Sequence, residues 1–379
     1  MDFKLSEEQE LIRENMREFT RKYVDPVAVE IDENSRYPEE VIKKLAEGDW
    51  MGMPYPQEYG GAGVDYLTYA IVVEELSRSC AATGFTLSCH TSLASGPIFN
   101  YGTEEQKQKY LVPLAKGQKI GAFGVTEPGA GTDVGAATTT AVLDGDDYVL
   151  NGIKTFTSNG PVADTFVIFA FTDKSLGPKG MSAFIISKDN PGLKVGQHFY
   201  KMGIRASQTS EMILKDCRVP KADLLGKEGQ GVQIAMATFD HGRIGIAAQA
   251  VGIAQAALDE SISYAKQRIQ FGKPISKNQA IQWMIADMYT DISAARFLTY
   301  HAAYLKDQGK PFSKEAAMAK VFAAEMANRH ASKAVQIHGG NGYCKGFKVE
   351  RLMRDAKITE IYEGTSEAQR MVIAGNVLR

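Results

Sequence analysis

Glu363 stands directly before Gly364 in the run Ile361-Tyr362-Glu363-Gly364-Thr365-Ser366, which follows Arg354-Asp355-Ala356-Lys357 and lies between two apolar helical stretches. A glycine at that point predicts a sharp turn that presents the carboxylate into a cavity. Burial there would raise its pKa above the ~4.3 of a free glutamate and make it a general base; the plainer reading is a solvated carboxylate at a helix start. Three other segments concentrate glycine, hydroxyl and charge. In Val125-Thr126-Glu127-Pro128-Gly129-Ala130-Gly131-Thr132-Asp133 the glycines let backbone N–H groups approach a phosphate or a ring, and Thr126 and Thr132 add hydroxyls. The spacing is not G-x-G-x-x-G, so a glycine-rich β-turn is the plain alternative. Thr155-Phe156-Thr157-Ser158-Asn159-Gly160 sets an aromatic beside hydroxyl and amide donors. Such a group could stack on and hydrogen-bond a planar cofactor, or simply end a strand in a turn. In Phe239-Asp240-His241-Gly242-Arg243, Asp240 and Arg243 share a helical face, where they either pair internally or meet a polar ligand. His241 reads as a surface or satisfied core histidine.

The elements that must position these groups differ along the chain. Eleven of the thirteen prolines lie at or before Pro220, leaving only Pro274 and Pro311 beyond it. A proline-poor, alanine-rich segment is what long helices need. Helices are predicted from Gln230 to about Arg268, and over Ser313–Ile337 with a stop at Gly339-Gly340. Near the start, Ser6 and Gln9 have capping-box spacing, and Leu11, Ile12, Met16 and Phe19 share a face. Another helix covers Tyr66 to Leu76, after a loop containing Pro54, Pro56 and Gly60 to Gly63. The middle is richer in β-branched and aromatic runs: Phe166 to Phe171, Phe184 to Ile186, and Met212 to Leu214. Tyr148-Val149-Leu150 precedes Asn151-Gly152, which predicts a hairpin turn leading to Ile153–Ser158. The expected fold is α+β: helices over 1–120, an antiparallel β domain over 121–225, and a helical bundle over 226–379.

Composition excludes several classes. Lys+Arg total 43 against 45 Asp+Glu, a formal net charge of −2, which does not suit a broadly basic nucleic-acid binder. Cys80, Cys89, Cys217 and Cys344 form no C-x-x-C, and the six histidines no H-E-x-x-H, so no metal is expected. No window of 18 apolar residues predicts a membrane span. With no signal or transit pattern at MDFKLSEEQE, the cytoplasm is expected.

VTEPGAGTD, KMGIRASQTSE, RIQFGKPISKNQAI, QIHGGNGY and MRDAKITEIYEGTSEAQR, in that order, resemble the motifs of acyl-CoA dehydrogenases, and the likeness runs from LSEEQ to the C-terminus. FDHGRIGIAAQ and ITEIYEGTSE resemble the short-chain, butyryl-CoA branch. The resemblance implies an N-terminal helical domain, a central β domain and a C-terminal four-helix bundle. It also implies FAD as cofactor, a homotetramer (a dimer of dimers), and an acyl-CoA oxidised to its trans-2-enoyl-CoA in short-chain fatty acid metabolism. Electrons would then pass to an electron-transfer flavoprotein. Glu363 in YEGT matches the catalytic base, taking the α-proton as a hydride leaves the β-carbon for flavin N5.

For the flavin, the resemblance implies Phe123, Val125, Thr126 and Thr132 on the first strand and loop, with Phe156 and Ser158 at the flavin-facing strand end. Many relatives have tryptophan and threonine at the last two, so Phe156 keeps an aromatic surface but lacks an indole donor. Arg268, Phe271, Gln279, Gln336, Gly339 and Gly340 match contacts to the FAD of a neighbouring subunit. Thr365 and Glu367 match phosphate and ribose contacts. Asp240, Arg243, Thr132 and Gly364 match contacts to the CoA substrate. Branches that place their base on the helix just before the arginine have it where this chain has Gly242, which leaves Glu363. Alternative readings are a dehydrogenase for branched or functionalised short acyl-CoA, an enoyl-CoA reductase of the same family, or a non-catalytic flavin- or CoA-binding scaffold.

Overall fold

The computed structural model describes residues 4–378. The first helix, α1 (Glu7–Phe19), starts as its sequence predicts: the Gln9 backbone N–H donates to Ser6 Oγ at 3.1 Å, and the Ser6 N–H to Gln9 Oε1 at 3.0 Å. Two buried helices of the same region, α2 (Tyr66–Ser79) and α3 (Ala81–Ser88), run into a π-helical segment, Cys89–Ser95, that is buried throughout. π-helical turns widen the helix, displace the side chains that follow and are frequent at functional sites.

The central sheet has eight strands: β1 (Gly121–Gly124), β2 (Thr140–Asp144), β3 (Asp147–Ser158), β4 (Thr165–Phe171), β5 (Met181–Ser187), β6 (Leu193–His198), β7 (Thr209–Pro220) and β8 (Leu224–Leu225). Its order is β6-β7-β3-β2-β4-β5-β8, mostly antiparallel, with β1 added alongside β4 in parallel. β4 is buried at every position, which explains its unbroken apolar run. One predicted turn does not form. Asn151-Gly152 lies inside β3, where Gly152 (φ 156°) sits at a register shift against β7, and the chain reverses instead at Gly145 (φ 62°), between β2 and β3. Thr139 decides this: a Cβ on Gly152 would come 2.3 Å from the Thr139 hydroxyl, so the glycine serves a close approach and not a turn.

Beyond the sheet, α4 (Gly231–Gln267) runs for 37 residues and packs with α5 (Gln279–Asp307) and α6 (Ser313–His338). Small residues let α4 lie close to its neighbours. A Cβ on Gly245 would fall 2.3 Å from Ser88 Oγ, and one on Gly252 2.3 Å from the Glu74 carbonyl. Two shorter helices, α7 (Lys348–Lys357) and α8 (Ser366–Val377), flank the turn that carries Glu363. The main apolar core runs continuously through both helical regions and one face of the sheet; a second core lies on the other face.

Candidate active site

After α7 the chain makes one 3-10 turn, Ile358–Glu360, and then places Glu363 (φ 51°) and Gly364 (φ 93°) in the left-handed region before α8 begins. For a glutamate that conformation costs roughly 1–2 kcal/mol, so the surroundings must hold it. Gln369 Nε2 donates to the carbonyls of Glu363 (3.1 Å) and Gly364 (2.9 Å), and Lys320 Nζ, from α6, donates to the Gly364 carbonyl at 2.6 Å. Thr365 caps α8 by accepting from the Ala368 N–H at 3.2 Å. On the other side Tyr362 stacks on Phe85 with ring centroids 4.5 Å apart, and its hydroxyl donates to Gln249.

The Glu363 side chain is buried, and neither carboxylate oxygen has a hydrogen-bond partner among the described residues. Burial pushes its pKa up to about 8, while the cations of Lys320 and Arg243 pull the other way. Lys320 is itself fully buried, and burial lowers its pKa to about 8 against the opposing pull of Glu363. A buried carboxylate without a partner is costly unless something binds beside it.

Room for that carboxylate comes from α4. A Cβ on Gly242 would lie 2.0 Å from Glu363 Oε2 and 2.9 Å from Leu93 Cδ2, on the π-helical segment. The next residue, Arg243, is buried and ion-paired to Asp240, which also accepts from Ser313 Oγ at 2.9 Å. Arg243 Nε is buried and has no hydrogen-bond partner among the described residues. Asp240, Arg243, Gly242 and Glu363 are thus brought to one place from parts of the chain more than a hundred residues apart.

Phe239 joins this region to the sheet, since its ring meets that of Phe123 at 5.7 Å. Phe123 and Val125 are buried, Thr126 is half-buried, and Thr132 is exposed. The Thr126 carbonyl accepts from the Thr155 N–H at 2.8 Å, tying the glycine-rich loop to β3. The loop is anchored by a buried ion pair, Lys154 Nζ to Glu127 Oε1 at 2.7 Å. Glu127 also accepts from the Thr138 N–H (2.6 Å) and hydroxyl (2.8 Å) and from the Thr139 N–H (3.1 Å). Burial by itself would raise the Glu127 pKa, but Lys154 and these donors bring it down to about 2.

At the end of β3, Phe156 (φ 52°) is 62% exposed and meets Phe199 at 4.7 Å. Ser158 nearby is half-buried, and the Thr157 hydroxyl is buried with no partner among the described residues. An uncovered aromatic, an orphan hydroxyl, and Gly129 and Gly131 with open space where a Cβ would go together fit a flat, polar-edged cofactor. A second cleft, of about 350 Å³, is lined by Arg268, Gly339 and Gly340 with Tyr264, Gln270 and Asn341, and does not include Glu363. Phe271 stands 98% exposed at the tip of the short hairpin leading to Gln279, the first residue of α5, and Gln336 is exposed on α6. Glu367 is exposed in the first turn of α8. Among the described residues no three His, Cys, Asp or Glu side chains cluster to hold a metal ion.

Several participants escaped the sequence reading: Lys320, Gln369, Gln249 and the Glu127–Lys154 pair. The one signal for Lys320 was a lone charge among Ala316, Ala317, Ala319, Ala323 and Ala324 on a helix whose small side chains otherwise face the core.

Sequence profiles of the acyl-CoA dehydrogenase N-terminal, middle and C-terminal domains match residues 6–118, 122–217 and 229–378. A short-chain specific acyl-CoA dehydrogenase of Clostridium acetobutylicum is 57% identical over 379 residues, 100% of both chains. Acryloyl-CoA reductase (NADH) of Anaerotignum propionicum is 51% identical over 100% of this chain and 96% of its own. Among solved structures, butyryl-CoA dehydrogenase from Megasphaera elsdenii superposes with a TM-score of 0.99 at 48% identity, covering 100% of both chains. So does a chain from work on the electron transferring flavoprotein of Acidaminococcus fermentans and flavin-based electron bifurcation, at 0.99 and 53%, again over 100% of both chains. PigA, solved with FAD and proline, superposes at 0.96 with 31% identity, over 100% of this chain and 99% of its own.

Proposed function

The chain belongs to the acyl-CoA dehydrogenase family, and from that premise we propose that it oxidises a short acyl-CoA, butyryl-CoA foremost, to the trans-2-enoyl-CoA. The observation that carries this reading is Glu363, a buried carboxylate with no hydrogen-bond partner among the described residues, held on a left-handed turn. The cofactor is FAD, which when bound supplies the acceptor for the β-hydride.

The chain's own residues do the rest. Phe123, Val125, Thr126, Thr132, Phe156 and Ser158 would hold the flavin side of the cofactor. Arg268, Phe271, Gln279, Gln336, Gly339 and Gly340 would reach the FAD of a neighbouring subunit, and Thr365 and Glu367, after the turn at Glu363, would make phosphate and ribose contacts to the cofactor. Asp240, Arg243, Thr132 and Gly364 would orient the CoA thioester. An α-proton of a thioester is only weakly acidic, so the base must be aimed at it while a donor, here the Glu363 backbone N–H, meets the carbonyl oxygen. Glu363 takes the α-proton. The cations of Lys320 and Arg243 keep its ionised form within reach in a dry site. No carboxylate stands at Gly242, and a side chain there would collide with the one at Glu363, so the reaction has one base.

A homotetramer agrees with the apolar surface left uncovered on α5, where Trp283 is 61% and Tyr289 65% exposed, and at the C-terminus, where Leu378 is 85% exposed. An electron-transfer flavoprotein is the proposed electron acceptor. Among the described residues no helix is long and apolar enough to cross a membrane.

The acryloyl-CoA reductase relative supports a second reading, enoyl-CoA reduction at the same residues. There the protonated Glu363 acid, favoured near neutrality by burial, would deliver the α-proton. Anaerobic addition of C4 to C8 acyl-CoAs tests the first reading. The flavin band should bleach, most strongly with butyryl-CoA, and Glu363→Gln should abolish bleaching while FAD and the assembly stay in place. Bleaching that survives Glu363→Gln would refute the base. A flavin that no thioester bleaches, but that acryloyl-CoA reoxidises after chemical reduction, would favour the reductase.

A further inference from the structure

Lys320 has no part in the reaction as assigned above beyond its charge, yet its placement is unusual. It lies in the middle of α6, fully buried, with Ala316, Ala317, Ala319, Ala323 and Ala324 buried nearby on the same helix. Burying an ammonium costs several kcal/mol unless it is paired and hydrogen-bonded. Among the described residues the one hydrogen bond its ammonium makes is the 2.6 Å one to the Gly364 carbonyl, the residue directly after Glu363, and no carboxylate lies within ion-pair distance of it. Gln369 already donates to the same carbonyl. A second anchor by itself does not account for a buried charge, since a neutral side chain would serve.

We propose that Lys320 is a positioning residue of the active site, its buried ammonium fixing the Gly364 carbonyl and acting as the standing countercharge to the Glu363 carboxylate. The inference rests on Glu363 being the base. Around Glu363 the charged and titratable groups are Lys320 from α6 and Arg243 from α4, with Tyr66 and Tyr69 from α2, Cys89 from the π-helical segment, and Tyr362 beside it. Around Lys320 they are Glu363, Arg243, Glu360 and Glu367. Arg243 is already paired with Asp240, whereas Lys320 has no ion-paired carboxylate among the described residues, and of the carboxylates that act on it through space, Glu363, Glu360 and Glu367, Glu363 acts most strongly. Lys320 therefore sets how readily the base ionises. When Glu363 takes the α-proton, its charge is lost while that of Lys320 remains.

The test uses the FAD-loaded enzyme as Lys320→Met, which keeps the bulk without the charge, and Lys320→Gln, which keeps a neutral donor for Gly364. Two measurements are made. One is the rate of flavin bleaching by butyryl-CoA against pH; the other is direct titration of the Glu363 carboxyl by infrared difference against Glu363→Gln, with no substrate present. In both variants the midpoint of Glu363 ionisation should move up by about one pH unit or more, as expected for loss of an opposite charge close by. The bleaching rate near neutrality should fall about tenfold, with little change in the butyryl-CoA concentration needed for saturation. Lys320→Arg, which keeps a cation, should return the midpoint toward that of the wild type. A wild-type midpoint in Lys320→Met and Lys320→Gln would overturn the proposal. So would variants that all fail to hold FAD, which would make Lys320 a folding requirement. If Glu363→Gln remains active, the base assignment fails whatever Lys320 does. If Glu363→Gln is inactive and the Lys320 variants titrate normally, only the Lys320 inference fails.

Discussion

Replacing Gly242 with alanine should slow the reaction through one contact. The new methyl group would sit 2.0 Å from Glu363 Oε2 and 3.0 Å from its Cδ, where ordinary contacts begin near 3.4 Å. The carboxylate must therefore give way by about 1.4 Å, and Leu93 Cδ2, 2.9 Å from the same point, is crowded by the methyl as well. A misplacement of about 1 Å at the reacting group costs on the order of 10²-fold, which is about 2.7 kcal/mol of barrier. The backbone gives no reason for a loss of stability. Position 242 lies within a regular helix, where alanine is favoured over glycine by about 1 kcal/mol. The expected outcome for Gly242→Ala is a roughly hundredfold fall in the rate of anaerobic flavin bleaching by butyryl-CoA, with FAD content and Tm close to those of the wild type. A wild-type rate would show that Glu363 does not act from the position seen here. A loss of rate matched by loss of FAD would show that the helix, and not the base, had been disturbed.

Three other outcomes follow from the buried charges. Because burial raises the Glu363 pKa to about 8, dehydrogenation should slow by about tenfold per pH unit below that point, and enoyl reduction should show the opposite trend. The same shift bears on stability. A carboxyl raised in the folded state contributes stability that is present at acid pH and lost as pH rises through about 8, so Glu363→Gln should have the higher Tm above pH 8 and lose that advantage toward pH 5. Lys154→Met leaves Glu127 buried without its cation, with only the Thr138 and Thr139 donors, which should cost about 3 kcal/mol and loosen the loop before Thr139, read as a lower Tm and loss of FAD on dialysis. An unchanged Tm in Lys154→Met would mean that the pair does not hold the loop.

Much of the architecture was legible because it follows from local rules. Proline concentrated in the first 220 residues, the Ser6–Gln9 spacing and the alanine-rich runs all act within a few turns of helix, and the helices formed where those signals lie. The turn at Glu363-Gly364 was legible for the same reason: glycine is the residue that tolerates the second left-handed position. Asn151-Gly152 misled because a hairpin signal and a bulge signal are the same dipeptide, and only the hydroxyl of Thr139 on the neighbouring segment separates them.

By itself, then, the sequence determined the order of helices and strands, the turn that carries the carboxylate and the motifs that mark the family. What surrounds that carboxylate was decided by tertiary structure alone. Gly242 makes room for Glu363 across 121 positions of chain and Lys320 reaches Gly364 from another helix, while Lys154 of β3 finds Glu127 in the glycine-rich loop. The physical reason is that local preference acts over neighbouring residues, whereas burial, and with it every shifted pKa in this site, depends on which distant side chains are packed around a group and which leave it space.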